Sequence, residues 1–231
     1  MTEGRPWVKP LLRYRTVIYA GTVLTGLTGL IYQVVWQKYL TFIVGSETRS
    51  ISLVVAVFLA GLAAGYRFWG RRSERATSRR KLLRIYGFIE LGIGVYAAVF
   101  PLYLGLVTAI GHHSPSWLLT DLLLSALTLL LPTFLMGATI PLLVSVVPEK
   151  VEEIHLCHAK IYGVNTLGAC LGAFGASFFL IPRFGLQDSL LLASLVNLVV
   201  GTVFVLNPLR HEVAKDEPVE PIRHNFPIQA V

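Results

Sequence analysis

Long apolar runs alternate along the chain with short basic segments, and six of the runs are long enough to cross a membrane. They extend from Thr16 to Gln37, from Ser50 to Tyr66, from about Ile85 to Ile110 with Glu90 inside, from about Trp117 to Val147, from Ile161 to about Ile181, and from Ser189 to about Leu206. At a rise of about 1.5 Å per helical residue, some ~20 apolar residues span a hydrocarbon core of about 30 Å. The pattern therefore predicts an all-α, polytopic membrane protein with six transmembrane helices. The first run is far longer than the roughly 7 to 15 apolar residues of a cleaved signal peptide, so it is expected to stay as an anchor. The expected organisation is a basic N-terminus over residues 1–15, a membrane domain over 16–206, and a tail over 207–231. That tail carries Pro208, Pro218, Pro221 and Pro227 among scattered charges, a composition that reads as disordered or as the start of a linker.

Composition agrees with this pattern. Of 231 residues 54% are apolar and 14% charged, with a mean hydropathy of +0.65, whereas about 25% charged residues is usual for a soluble domain. The net charge of +7 is unevenly placed. With the N-terminus inside, seventeen of the 20 Lys and Arg residues fall on the inner side, and only Lys38, Arg49 and Arg183 fall outside. Cytoplasmic loops carry such an excess, so both termini are predicted to be cytoplasmic. The basic balance then belongs to topology and anionic head groups rather than to nucleic acid. The cluster from Arg67 to Arg84 reads as a topology determinant, with docking of an acidic partner as its functional alternative.

Helices pack closely in lipid where small residues let backbones touch. Asn165, Gly168, Gly172 and Gly175 form one stripe at helical spacing in the fifth run; Gly61, Ala64 and Gly65 do so in the second, and Gly87, Glu90, Gly94 and Ala97 in the third. The fourth run should kink or unwind between Pro132 and Pro141, with Gly137 between them, because each proline removes an intrahelical hydrogen bond. Such a break can line a cavity, or it can be satisfied locally by Thr133 and Thr139.

Glu90 is the ionisable residue set deepest in an apolar run, and with Asn165 and Gln33 it makes a candidate intramembrane polar site. A carboxylate there should face the bundle, be paired or be protonated; it is either a cation or proton site or an anchor bonded to Asn165 or a helix end. Asn197 and Gln37 are expected to bond across helices, Asp121 to cap a helix, and Trp36, Trp69 and Trp117 to sit in the aromatic belts at span ends. His155 and His158, with Cys157 nearby and Glu152 to complete the set, are a weak metal candidate without a matching second pair, so no metal is expected. His112 and His113 are weaker still. Cys157 and Cys170 read as reduced packing residues. The chain shows no phosphate-binding loop, nucleophile elbow or zincin motif, so no catalytic residue and no cofactor is expected in it.

Several strings, in order, resemble one family. Gly29 Leu30 Ile31 Tyr32 Gln33 Val34 Val35 Trp36 Gln37, Gly61 Leu62 Ala63 Ala64 Gly65, Ile89 to Tyr96, Leu131 to Leu143 and Tyr162 to Ala169 resemble the membrane domain that bacteria fuse to spermidine synthase-like domains, over about residues 16 to 206. The resemblance implies a bundle similar to half of a major facilitator, associated with a cytosolic aminopropyltransferase fold. The Gly-rich loop and acidic residues of that fold are absent here, and the 25 residues after Leu206 are too few to form it. The loop Gly70 to Arg75 is basic like that of facilitators but lacks their Asp. Two functions are thus expected to compete: a membrane scaffold that holds an aminopropyltransferase-like partner or domain at the inner surface, and a small, dimeric transporter for a cation such as a polyamine. In either case the partners are the bilayer, a synthase-like protein or a second copy of the chain.

Overall fold

The computed structural model describes residues 8–44, 46–76, 78–111, 118–147 and 154–206. They form α1 (Val8–Val44), α2 (Glu47–Glu74), α3 (Arg79–Gly111), α4 (Leu118–Met136), α5 (Thr139–Val144), α6 (Ile154–Gly175), a π-helical segment Ala176–Leu180 and α7 (Ile181–Leu206). No strand occurs among the described residues. Residues 1–7 and 207–231, Trp117, His112, His113 and Glu152 lie outside the described residues, as does the side chain of Asp121, while α1 takes in residues 8–15 of the expected N-terminal segment.

Five stretches are long and apolar enough to cross a membrane: Arg15–Phe42, Glu47–Glu74, Arg79–Gly105, Ala126–Val144 and His155–Leu206. Two runs were expected where the last of these continues for 52 residues. Drawn straight, such a helix would measure about 78 Å, more than twice the hydrocarbon thickness. It is not uniform. Ala176–Leu180 is π-helical, and Gly185 leaves helical geometry altogether at φ 78° and ψ −178°, a conformation that the absence of a Cβ makes accessible.

The outer surface is apolar, with Phe42, Leu59, Phe88, Leu102, Leu127 and Phe178 all exposed, as expected where the solvent is hydrocarbon rather than water. Inside, α1 is the hub: α6, α7 and α2 pack on it, while α3 packs mainly on α7 and α2 on α4. Trp36 is fully buried there, stacked on Tyr32 at 5.2 Å and tilted against Phe100 at 5.6 Å. That corrects its expected place in an interfacial belt. The apolar run ends at Gln37, but α1 continues to Val44, so Trp36 is not at a helix end.

Glycines set the separations. A Cβ on Gly168 would strike the Val23 carbonyl, one on Gly172 the Leu27 carbonyl, and one on Gly26 the Asn165 carbonyl, so α1 and α6 meet backbone to backbone. For α2 against α4, a Cβ on Gly65 would strike the Phe134 carbonyl and one on Gly61 the Thr133 side chain. Gly94 would meet Leu198 at 2.9 Å, and Gly87 the Gly201 carbonyl at 2.8 Å, which seats α3 on α7. Gly175 differs from the expected stripe, since no heavy atom lies within 4 Å of its would-be Cβ. The stripe presumes an unbroken 3.6-residue period, and α6 gives way to the π segment immediately after that position.

The broken segment divides its expected roles unequally. Pro132 lies inside continuous α4, and the turn falls at Gly137 and Ala138, ahead of Pro141 in α5. Having no N–H, Pro132 leaves the Thr128 carbonyl without its helical donor; the Tyr96 hydroxyl of α3 donates to it instead. Thr133 Oγ1 donates to the Leu129 carbonyl at 2.7 Å. At the turn, Gly137 lets α2 approach, with Tyr66 N at 2.8 Å from where its Cβ would stand.

Candidate functional site

Glu90 stands three turns into α3 and is only 1% exposed. Its position follows from the packing of α3 on α7, where Gly87, Gly94 and Gly201 bring the two backbones together on the same side. Asn197 of α7 then reaches it, with Nδ2 donating to Oε2 at 2.7 Å. Thr139, the first residue after the break before α5, donates from Oγ1 to Oε1 at 3.4 Å. Tyr86, one turn earlier on α3, donates from its hydroxyl to Thr25 Oγ1 of α1 at 3.4 Å. Asn197 in turn accepts from the Tyr32 hydroxyl through Oδ1 at 3.3 Å. One carboxylate thus ties together α1, α3, α5 and α7.

All its protein donors are neutral. No ion pair to Glu90 occurs among the described residues, and the cavity beside it is bordered by no Lys or Arg. That cavity, of about 580 Å³, opens between α2 and α6 and is floored by α1. Glu90, Asn197 and Thr139 lie on one side of it; Asn165, Tyr162 and His158 come from α6, and Phe58, Leu62 and Tyr66 from α2. At its rim Tyr66 Oη and His158 Nε2 are 3.4 Å apart. Gly29 lines the floor, and a Cβ there would meet nothing within 4 Å.

Of the three residues expected to form the polar site, the structure brings Glu90 and Asn165 to one cavity and leaves Gln33 outside it. Asn165 is not the Glu90 partner; Asn197 is, because α6 packs on α1 while α7 packs on α3. Asn197, Tyr86 and Thr139 were not on the expected list, although Asn197 and Gly201 share a helix face at i, i+4, the signal that could have paired α7 with α3. His155 and His158 diverge, one exposed and one facing the cavity rim. Among the described residues no three metal-ligating side chains cluster. Both cysteines are free, Cys157 buried and Cys170 exposed.

The basic cluster has its own geometry. Arg67, Arg71, Arg72, Arg75 and Lys81 surround a second cavity of about 680 Å³, with Trp69 in its wall, where α2 turns into α3.

The class that fold and site define is an all-helical protein with five stretches long and apolar enough to cross a membrane and a carboxyl group buried beside a cavity. Among curated proteins the chain is similar to polyamine aminopropyltransferases. Polyamine aminopropyltransferase 1 of Streptomyces coelicolor is 23% identical over 202 residues, which are 87% of this chain and 36% of that protein. Polyamine aminopropyltransferase 2 of the same organism is 25% identical over 211 residues, with 87% and 36% covered. The polyamine aminopropyltransferase of Mycobacterium tuberculosis is 24% identical over 211 residues, with 88% and 38% covered. This is a weak homology to spermidine synthase-like proteins, and the chain spans little more than a third of the length of these relatives. No family model matches the chain. No solved structure matches it significantly.

Proposed function

We propose that this chain is the membrane module of a polyamine aminopropyltransferase-like system, which holds an aminopropyltransferase-like domain or partner at the inner surface of the bacterial cytoplasmic membrane. The observation that carries this reading is the similarity itself: it covers 87% of the chain, nearly all of it apolar helix, yet about a third of each relative. In this reading the chain crosses six times, like half of a major facilitator bundle, and the break at Gly185 divides the last 52-residue stretch into two crossings that return the chain to the basic side. The scheme puts the cluster around Arg67 to Arg84 and both termini on the cytoplasmic face, in keeping with the charge bias.

Two experiments test it. The tagged chain is purified in mild detergent from its native membrane, co-purifying proteins are identified by mass, and the eluate is assayed for aminopropyl transfer. Recovery of a synthase-like partner with activity is expected; the chain alone, inactive, overturns the anchoring role. Reporter fusions after residue 206 and at Gly185 test topology, with the first expected inside and the second outside. Transport of a cation, the competing expectation, draws no support from these relatives, all of which bear the name of a transferase.

A further inference from the structure

We propose that the cavity between α1, α2 and α6 is a binding site for a linear alkylammonium ion, with the Glu90 carboxylate as its counter-charge and the apolar wall as the seat of its carbon chain. Three observations carry this. The first is charge: a carboxyl group in a bundle core is held by neutral donors, from Asn197 and Thr139, so that once ionised it has no Lys or Arg paired with it among the described residues. Structural anchors in membrane helices usually face a partner of opposite sign or a backbone; this one borders a cavity.

The second observation is the space. Elsewhere on α1 and α6, Gly26, Gly168 and Gly172 are small because a backbone lies against them. Packing does not account for Gly29, whose missing side chain leaves the cavity floor open. About 580 Å³ lies within the usual range for small-ligand sites, roughly 300 to 1,000 Å³.

The third is the chemistry of the walls. A small metal cation would require some six or more oxygen ligands, and no cluster of metal-ligating side chains exists among the described residues. Phe58, Leu62 and Ile93 instead offer hydrocarbon contact, while Tyr66 and Tyr162 place aromatic rings at the rim, which favour a cation. A charged nitrogen on an alkyl chain meets both demands. The site rests on this geometry; only the choice of a polyamine as probe rests on the function proposed above.

The test is equilibrium binding of radiolabelled spermidine to the full chain in nanodiscs of zwitterionic lipid. Because the chain carries +7, diffuse attraction of a polycation is disfavoured. We expect saturable binding that diaminooctane displaces and octanediol, similar in shape but uncharged, does not. Glu90→Gln is expected to weaken it by about tenfold or more, the loss of one charge-assisted contact. Gly29→Phe fills the floor without meeting a neighbour at its Cβ, so it should fold and lose binding to a similar degree, and it decides the matter if Glu90→Gln does not fold. Glu47→Gln, which alters an exposed carboxylate paired with Lys38, should change nothing. Absence of saturable binding, binding that survives Gly29→Phe, or equal displacement by octanediol would each overturn the proposal. No partner protein enters this measurement, so its outcome stands whether or not a synthase co-purifies.

Discussion

On α1, Gly26 lies against the Asn165 carbonyl of α6, whereas Gly29, three residues further on, has no heavy atom within 4 Å of the place where its Cβ would stand. The two glycines occupy the same helix and both border the cavity, yet one is closed at a seam by a facing backbone and the other has open space before it. The seam, completed by Gly168 and Gly172, is a contact of backbones in which van der Waals packing replaces the hydrophobic drive that lipid cannot supply. The cavity side carries Thr25, Thr28 and Gly29 toward Asn165, Asn197 and Glu90. Small residues therefore have two meanings in this bundle, closeness and vacancy, and only the facing helix tells them apart.

The sharpest way to break this contrast is Gly168→Leu. Its Cβ would enter the Val23 carbonyl, so α1 and α6 must separate, and overpacking at a rigid backbone should cost about 3 kcal/mol or more. The expected result is loss of the monodisperse peak in detergent size-exclusion chromatography. Next comes Glu90→Ala, which leaves the Asn197 amide and Thr139 hydroxyl without their acceptor in a buried place and should cost about 1–3 kcal/mol. Glu90→Gln keeps one carbonyl acceptor, so its melting temperature should fall between parent and Glu90→Ala; equal losses would mean that the donors are satisfied by other means. Gly29→Ala tests the vacant side. With nothing near its Cβ it should leave stability unchanged or raise it by up to about 1 kcal/mol through helix propensity, and a clear loss would show that the floor is packed after all. Smallest is Lys38→Ala, which removes the exposed 2.6 Å pair with Glu47 outside both regions and should leave the melting temperature essentially unchanged, because solvent screens such a pair.

Much of the architecture was legible because lipid imposes it. Uninterrupted apolar length, basic connecting segments and glycine spacing are one-dimensional signals, and α1, α2 and α3 each contain the expected run while extending beyond it. Pairing is not such a signal. Asn165 looked like the natural companion of Glu90 because both belong to small-residue stripes, but the close approach of Gly87 to Gly201 gives α3 to α7 and so gives Glu90 to Asn197. Trp36 misled for a related reason: the run of apolar residues stops beside it, while the helix, stabilised by packing on Tyr96 and Phe100 from far along the chain, does not. The end of the small-residue stripe at Gly175 and the positive φ of Gly185 depend on local helix form, which periodicity takes as given.

The Thr128 carbonyl, which Pro132 leaves without its helical donor, has a mechanical consequence. A proline in a membrane helix is readily pictured as a joint about which two halves swing, but here the group it exposes is held by Tyr96 of α3. Sliding or rotating α4 by a single residue would carry that oxygen away from the Tyr96 phenol, and an unsatisfied carbonyl is costly where water is excluded. Pro132 therefore acts less as a joint than as a key: it permits one axial setting of α4 against α3 and penalises its neighbours on either side.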